Sequence, residues 1–398
     1  MPFRVKALSV TILLAFVLNS FTSYAQNKIA DPLRVAVLLP LYIDSAFANN
    51  TYTLDENNIP QYILSGLDFY NGVMLAVDTL QKEGANLEVF IYDTKSSTKS
   101  LTTLLSEIKT MNISMVIASL TNANEQKKVS DFSFNYNIPL ISATYPNDAG
   151  LDGNPFFVML NSTLKTHVDG IYDYLQNNYA RSQPLFLTNK GALEQKILSY
   201  FSANDNGSNA LKYRTQNLNE NFYEGTLLSM LDSNKQNVIV CGSLNRSYAL
   251  KVAETISNAQ SYRATIIGMP NWDGFRDLDR LTNDKIQIVY STPYKTYRDG
   301  ALGNTLTEAY RSKFYSRPSD MVFKGFETMY HFTHLLMQYK YDIINHLSED
   351  KYHVGNRFDI EPVKLDPHAF IPDYQENKTL YFVTKVTDSI TSVKPLHN

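Results

Sequence analysis

A single cysteine, Cys241, stands in a chain of 398 residues. No internal disulfide can form, and no cysteine directly follows the amino-terminal apolar run to accept a lipid. Equally absent are a Gly-x-Ser-x-Gly elbow, a His-Glu-x-x-His pair, a glycine-rich phosphate loop and a calcium-loop pattern. With them goes the sequence support for an enzyme: no catalytic residue, metal or cofactor is expected. Lys and Arg are not clustered, and their 36 residues are outnumbered by 39 Asp and Glu, so a nucleic-acid partner is not expected either. His331 and His334 have helical i,i+3 spacing but no evident third ligand, and they read as ordinary helix residues. Long apolar runs are missing too. The first, Ala7–Leu18, spans about a dozen residues, short of the ~20 that a membrane helix needs.

That run has a basic start at Arg4 and Lys6 and is followed by the small-residue site Ser23-Tyr24-Ala25. The layout is that of a secretory signal over residues 1–25, with an uncleaved anchor as the alternative. The expected mature protein is exported, to the periplasm or beyond, and is not inserted in the membrane. Without Arg4 and Lys6, 34 basic residues face 39 acidic ones, a net charge of −5. The remaining length suits two domains at ~100–200 residues each.

What is present is an alternation of buried-strand runs and amphipathic helices. Leu33–Leu39 is nearly all apolar, the pattern of a strand covered on both faces. Leu41–Pro60 is polar and irregular, a loop long enough to be functional. Tyr62–Leu80 and Ser100–Met111 place their apolar residues on one helical face. Leu87–Tyr92, Met115–Ala118 and Pro139–Ile141 read as further strands. Asn122 and Glu125 have capping-box spacing, so a helix should begin at the polar cluster Ser119–Asn122, with Val129, Phe132 and Tyr136 on its buried face. Phe156–Leu160 is a fifth strand. The same grammar restarts at Pro184–Leu187 and continues through Val238–Cys241, Thr265–Ile267 and Ile286–Tyr290. Two helices, Leu306–Phe314 and Phe323–Tyr339, precede a tail of β character whose clearest strand is Thr379–Val386. Strand-helix-strand units of this kind form parallel sheets with right-handed crossovers. They bring polar strand ends such as Ser119–Asn122 and Ser142–Asn147 together at the carboxyl edge, where ligands sit in open α/β sheets.

Arg34–Pro40, Leu64-Ser65-Gly66-Leu67 leading into Gly72–Asp78, Val89–Asp93, Val116–Ser119, Ile138–Thr144 and Phe323–Met329 resemble successive segments of the type I periplasmic binding proteins. The branched-chain amino-acid branch, the substrate-binding proteins of ABC transporters, is the most similar. The resemblance implies an α/β, two-lobed fold in which each lobe is a parallel-sheet sandwich and three crossings join the lobes. It places residues 31–162 and 296–340 in lobe 1, and 163–295 and 346–398 in lobe 2. The crossings fall near Asn161–Thr163, Thr292–Thr296 and Tyr339–His346. A small-molecule ligand, amino-acid-like or similar, would be gripped in the cleft by hinge closure and passed to a membrane permease. A non-transport alternative uses the same fold as a scaffold for a cell-wall enzyme.

By the same resemblance, Thr121, Asn122, Ser142 and Thr144 would take a ligand carboxylate at a helix amino end, with its free N–H groups and favourable dipole. Asp273 is a shifted counter-ion for an ammonium group. The facing loops, around Asn245-Arg246 and Asn271-Trp272-Asp273, depart from the amino-acid binders. Trp272, the only tryptophan, either walls the cleft or plugs its own lobe. Arg246 is either a bidentate carboxylate fork or an exposed first-turn residue. Tyr145 and Tyr294 sit on loops on the cleft side. Cys241 reads as a buried strand thiol, and Asp277 and Asp279 as solvated carboxylates.

Overall fold

The computed structural model describes residues 31–55, 58–205, 210–298 and 300–396, so the expected signal segment lies outside the described residues. In chain order the first part holds β1 (Leu33–Leu39), α1 (Ile43–Ala46), β2 (Phe47–Ala48), β3 (Thr51–Tyr52), α2 (Gln61–Lys82), β4 (Leu87–Asp93) and α3 (Leu101–Lys109). It continues with β5 (Met115–Ala118), α4 (Ala123–Tyr136), β6 (Leu140–Ser142) and β7 (Phe157–Met159). The second part holds α5 (Leu164–Tyr179), β8 (Leu185–Thr188), α6 (Ala192–Ser202), β9 (Arg214–Asn217), α7 (Glu224–Leu228), β10 (Gln236–Cys241), α8 (Arg246–Asn258), β11 (Arg263–Ile267) and β12 (Ile286–Thr292). Then come α9 (Ala301–Phe314), α10 (Asp320–Tyr339), β13 (Ile360–Val363), β14 (Tyr374–Asn377), β15 (Tyr381–Val386) and β16 (Ser389–Pro395).

Two seven-stranded sheets result, ordered β13-β14-β7-β6-β5-β1-β4 and β16-β15-β12-β11-β10-β8-β9. β1 is an interior strand between β4 and β5, and helices cover both sheet faces there, which is why its run is apolar on both faces. Val35, Val37 and Leu39 pack into a core shared with α2 and α10, while Ala36 and Leu38 join the opposite core with α3 and α4. This is the period of two expected of a strand. The second sheet has its own core, centred on β8, β10 and β11.

Helices α2 and α10 cross at close range because each offers a glycine there. A Cβ on Gly72 would meet the Val322 carbonyl oxygen at 2.0 Å, and one on Gly325 would meet that of Phe69 at 2.2 Å. The loop Leu41–Pro60 is more ordered than expected: α1 and the small β2–β3 ladder occupy it. Tyr136, expected on the buried face of α4, is exposed instead.

The tail does not belong wholly to the second lobe, as residues 346–398 were expected to. β14 pairs parallel with β7, and β13 with β14, in the first sheet. Only β15 and β16 extend the second, antiparallel beside β12. The chain therefore changes sheets after β7, after β12, and between β14 and β15. That last change lies at Asn377–Tyr381, later than the Tyr339–His346 crossing expected. The reason is burial of polar groups. Glu376 accepts hydrogen bonds from Thr163 N (2.6 Å) and Thr166 Oγ1 (2.7 Å), and Asn377 accepts from Ser162 Oγ (2.7 Å) and donates to the Leu160 carbonyl (3.1 Å). These bonds tie the third crossing to the first. Among the described residues, no helix is long and apolar enough to cross a membrane.

Candidate ligand site between the lobes

Because β7 and β12 both run into crossings at their carboxyl ends, the carboxyl edges of both sheets border the space between the lobes. In the first lobe, α4 starts there with the expected cap: Asn122 Oδ1 accepts from Glu125 N at 3.0 Å. Glu125 turns back to accept from Thr121 N (3.3 Å) and Thr121 Oγ1 (3.2 Å), and its carboxylate pairs with Lys95. Both partners of that ion pair are largely buried. Of the two residues expected to hold a ligand carboxylate, Thr121 is thus engaged by a carboxylate of the chain itself, and the Asn122 side chain by the Glu125 backbone N–H. Ser142 is fully buried and accepts from Gln126 Nε2 at 2.8 Å, so its hydroxyl is turned inward rather than to the cleft.

Thr144 is half-buried and opens a different path. Its hydroxyl lies 3.0 Å from Ser119 Oγ, its carbonyl accepts from Asn161 Nδ2 at 2.6 Å, and Asn161 Oδ1 accepts from Lys324 Nζ at 2.7 Å. Lys324 therefore joins the strand ends of the first sheet to the first crossing. Its ammonium also stands 5.4 Å from the centre of the Tyr294 ring on the second crossing, a cation–π contact. Leu160, Asn161, Pro293, Tyr294, Lys324 and Phe358 line a seam where the crossings meet, too narrow in this conformation to admit a water molecule. Tyr145, half-buried, follows Thr144 on the same loop.

One turn along α10, Glu327 is fully buried. It accepts from Gly355 N (3.0 Å), Asn356 N (2.5 Å) and Asn356 Nδ2 (2.7 Å), and Asn356 in turn pairs with Lys295 of the second crossing. Burial pushes the Glu327 carboxyl up to about 7, against the pull of those hydrogen bonds. Burial also pulls Lys324 down to about 8, offset in part by the carboxylates of Glu327 and Asp273. The Tyr294 hydroxyl is buried beside Glu327, and desolvation holds it well above the ordinary phenol range.

In the second lobe, Asn245 caps α8 by accepting from Tyr248 N at 3.0 Å, and its amide donates to Glu220. Arg246 is exposed, paired with Asp277, and 5.3 Å from the Phe275 ring centre. The arginine's charge is therefore already met on its own lobe. Trp272 is 1% exposed, stacks near Phe275 with ring centroids 6.3 Å apart, and packs so tightly on Gly268 that a Cβ there would lie 2.0 Å from the indole. Of its two readings, the plug is the one the structure takes.

Asp273 behaves differently. It is open to solvent by its own surface, yet the protein around it raises its carboxyl by desolvation, opposed by Tyr290, Lys385 and Lys324. Lys324 and Asp320 belong to α10, so Asp273 feels the first lobe from across the interlobe space. Sequence reading missed Ser119, Asn161, Lys324 and Glu327 as individual site residues. One signal was available: Lys324 and Glu327 are the only Lys, Arg, Asp or Glu between Met321 and Tyr339, and their i,i+3 spacing puts them on one face.

No family model and no curated protein matches the chain. Solved structures do. The branched-chain amino acid transporter substrate-binding protein LivJ from Streptococcus pneumoniae, in complex with isoleucine, is 15% identical, covers 92% of this chain and 99% of its own, and superposes with a TM-score of 0.50. An ABC transporter substrate-binding protein from Desulfitobacterium hafniense in complex with Leu is 12% identical, with coverages of 91% and 99% and a TM-score of 0.56. A putative branched-chain amino acid ABC transporter protein from Rhodospirillum rubrum is 9% identical, with coverages of 90% and 99% and a TM-score of 0.62. The chain has the two-lobed type I periplasmic-binding-protein fold.

Proposed function

We propose that this protein is an exported solute-binding protein that captures a small polar molecule between its lobes and hands it to an ABC-type permease, without transforming it. The single observation that carries this reading is the convergence of both sheets' carboxyl edges on one interlobe space. There the polar chain Ser119–Thr144–Asn161–Lys324 ends on an ammonium that acts electrostatically on Asp273 of the other lobe. Similarity to proteins solved with isoleucine and leucine supports a ligand of amino-acid size. The three crossings supply the hinge about which such lobes close.

Closure makes the reading testable. A thermal-shift screen of amino acids and small organic acids, followed by small-angle scattering on any hit, should give a raised melting temperature and a smaller radius of gyration. A screen that yields neither stabilisation nor compaction removes the proposal. Export is checked separately, by fractionating cells that express the full chain: recovery of the protein only from the cytosol contradicts it.

A further inference from the structure

Two cations at the carboxyl edges are neutralised within their own lobes: Lys95 pairs with Glu125 and Arg246 with Asp277. Among the described residues, Lys324 makes no ion pair within 4 Å. Its hydrogen-bond partner is the neutral Asn161 amide at 2.7 Å, the Tyr294 ring lies 5.4 Å away, and the carboxylates of Glu327 and Asp273 act on it from beyond ion-pair distance. Glu327 lies on the same helix but spends its oxygens on Gly355 and Asn356.

We infer that Lys324 is the fixed cation of the ligand site, and that the captured molecule is a small carboxylate whose anionic end docks on the Lys324 ammonium instead of on the amino end of α4. Four observations carry this, and the inference rests on the solute-binding reading above. At the α4 amino end the Thr121 N–H and hydroxyl are taken by the Glu125 carboxylate and the Glu125 N–H by Asn122, so these donors are already spent. The Lys324 ammonium is positioned by Asn161, which also holds the Thr144 loop, so it sits at the junction of the first lobe's strand ends and the crossings. A point charge on a flexible stem held by one neutral acceptor keeps further donors for a ligand oxygen. Finally, Asp273 of the second lobe lies within electrostatic reach of Lys324, which favours a ligand whose other end is neutral or cationic. Lysine burial fits this assignment, because an ammonium pulled down to about 8 by desolvation gains from an anionic partner.

The test is an acid-against-amide comparison. Calorimetric titration of the full mature chain uses L-leucine, L-isoleucine and 4-methylpentanoate, each beside its primary amide, and glutarate as a dianion. At least one acid should bind at least tenfold more tightly than its amide, about 1.4 kcal/mol, and glutarate should bind more weakly than that acid. Lys324→Gln should collapse the acid-to-amide ratio toward one, while Lys324→Arg keeps most of it. If Lys324→Gln retains the wild-type ratio, the inference fails and the solute-binding reading stands. If the wild type binds none of these probes, the inference fails, while capture of a ligand of another class stays open to the wider screen above. Should Lys324→Gln misfold, nuclear magnetic resonance of the wild-type lysine side chains decides: the bound acid should move the Lys324 titration upward. An unmoved titration overturns the assignment.

Discussion

Replacing Glu327 by Gln should change how stability depends on pH. Glu327 is fully buried, and its carboxyl lies at about 7 against an ordinary value of 4.5. Because the folded value is raised, the folded chain holds a proton that the unfolded chain has released. The associated stability is fully present below pH 4.5 and is lost as the pH climbs through 7. The size of that loss is roughly 3 kcal/mol for this displacement. Glutamine cannot titrate, so Glu327→Gln lacks this slope. It should also carry a fixed cost, because its amide N–H₂ cannot accept from the donors that converge on the carboxylate. Urea unfolding of both proteins at several values between pH 4.5 and pH 8, compared at each pH, isolates the term. The wild type should lose roughly 3 kcal/mol relative to the variant across that window. Parallel stability profiles would refute the argument, since a Glu327 that is ionised throughout would make no difference with pH.

Two other substitutions probe packing. Trp272→Ala empties the second lobe's largest buried side chain and should cost about 3–5 kcal/mol, read as a lower melting temperature, with Trp272→Phe costing much less. A Trp272→Ala protein as stable as the wild type would mean that the indole is not a core residue. Gly325→Ala sets a Cβ 2.2 Å from the Phe69 carbonyl oxygen, a backbone atom that cannot rotate aside. Separation of α2 and α10 should cost about 1–3 kcal/mol, and a neutral result by chemical denaturation would contradict the close crossing.

How much of this was legible in the sequence depends on whether a residue's role is local. β1 and β5 were readable because a strand buried on both faces must be apolar throughout, and the capping box at Asn122 because its partners are three residues apart. β9 (Arg-Thr-Gln-Asn) and β14 (Tyr-Gln-Glu-Asn) carry no apolar alternation. β9 is an exposed edge strand. β14 is fully buried, and its polar groups are satisfied by Thr163, Thr166 and Leu160, more than 200 residues earlier in the chain. No window on the sequence contains that pairing, and the misplacement of the tail follows from it. The site divides in the same way. Thr144 was singled out from its place at a strand end, and Asp273 from the resemblance alone. Lys324 was not, because a single lysine in an amphipathic helix gains meaning only when Asn161 and Tyr294 are brought beside it.

Lys324 and Asp273 also bear on the ligand-free protein. Lying on different lobes, they attract one another, and closing an empty cleft shortens the distance between them. Two unit charges 4 Å apart in a protein-like surrounding attract by about 4 kcal/mol before desolvation is counted, and an exposed pair retains ~1 kcal/mol or less. Even the lower figure biases a two-state equilibrium severalfold toward closure. A ligand that presents an anionic group to Lys324 and a neutral or cationic end to Asp273 replaces this pair rather than adding to it, so Asp273→Asn should act on the empty state. By small-angle scattering without ligand, the wild type should be more compact than Asp273→Asn at about 0.01 M salt, where charges are felt over ~30 Å. The two should coincide at about 1 M, where screening leaves ~3 Å. Identical low-salt profiles would show that the two side chains do not communicate across the lobes, and Asp273 would then drop out of the site.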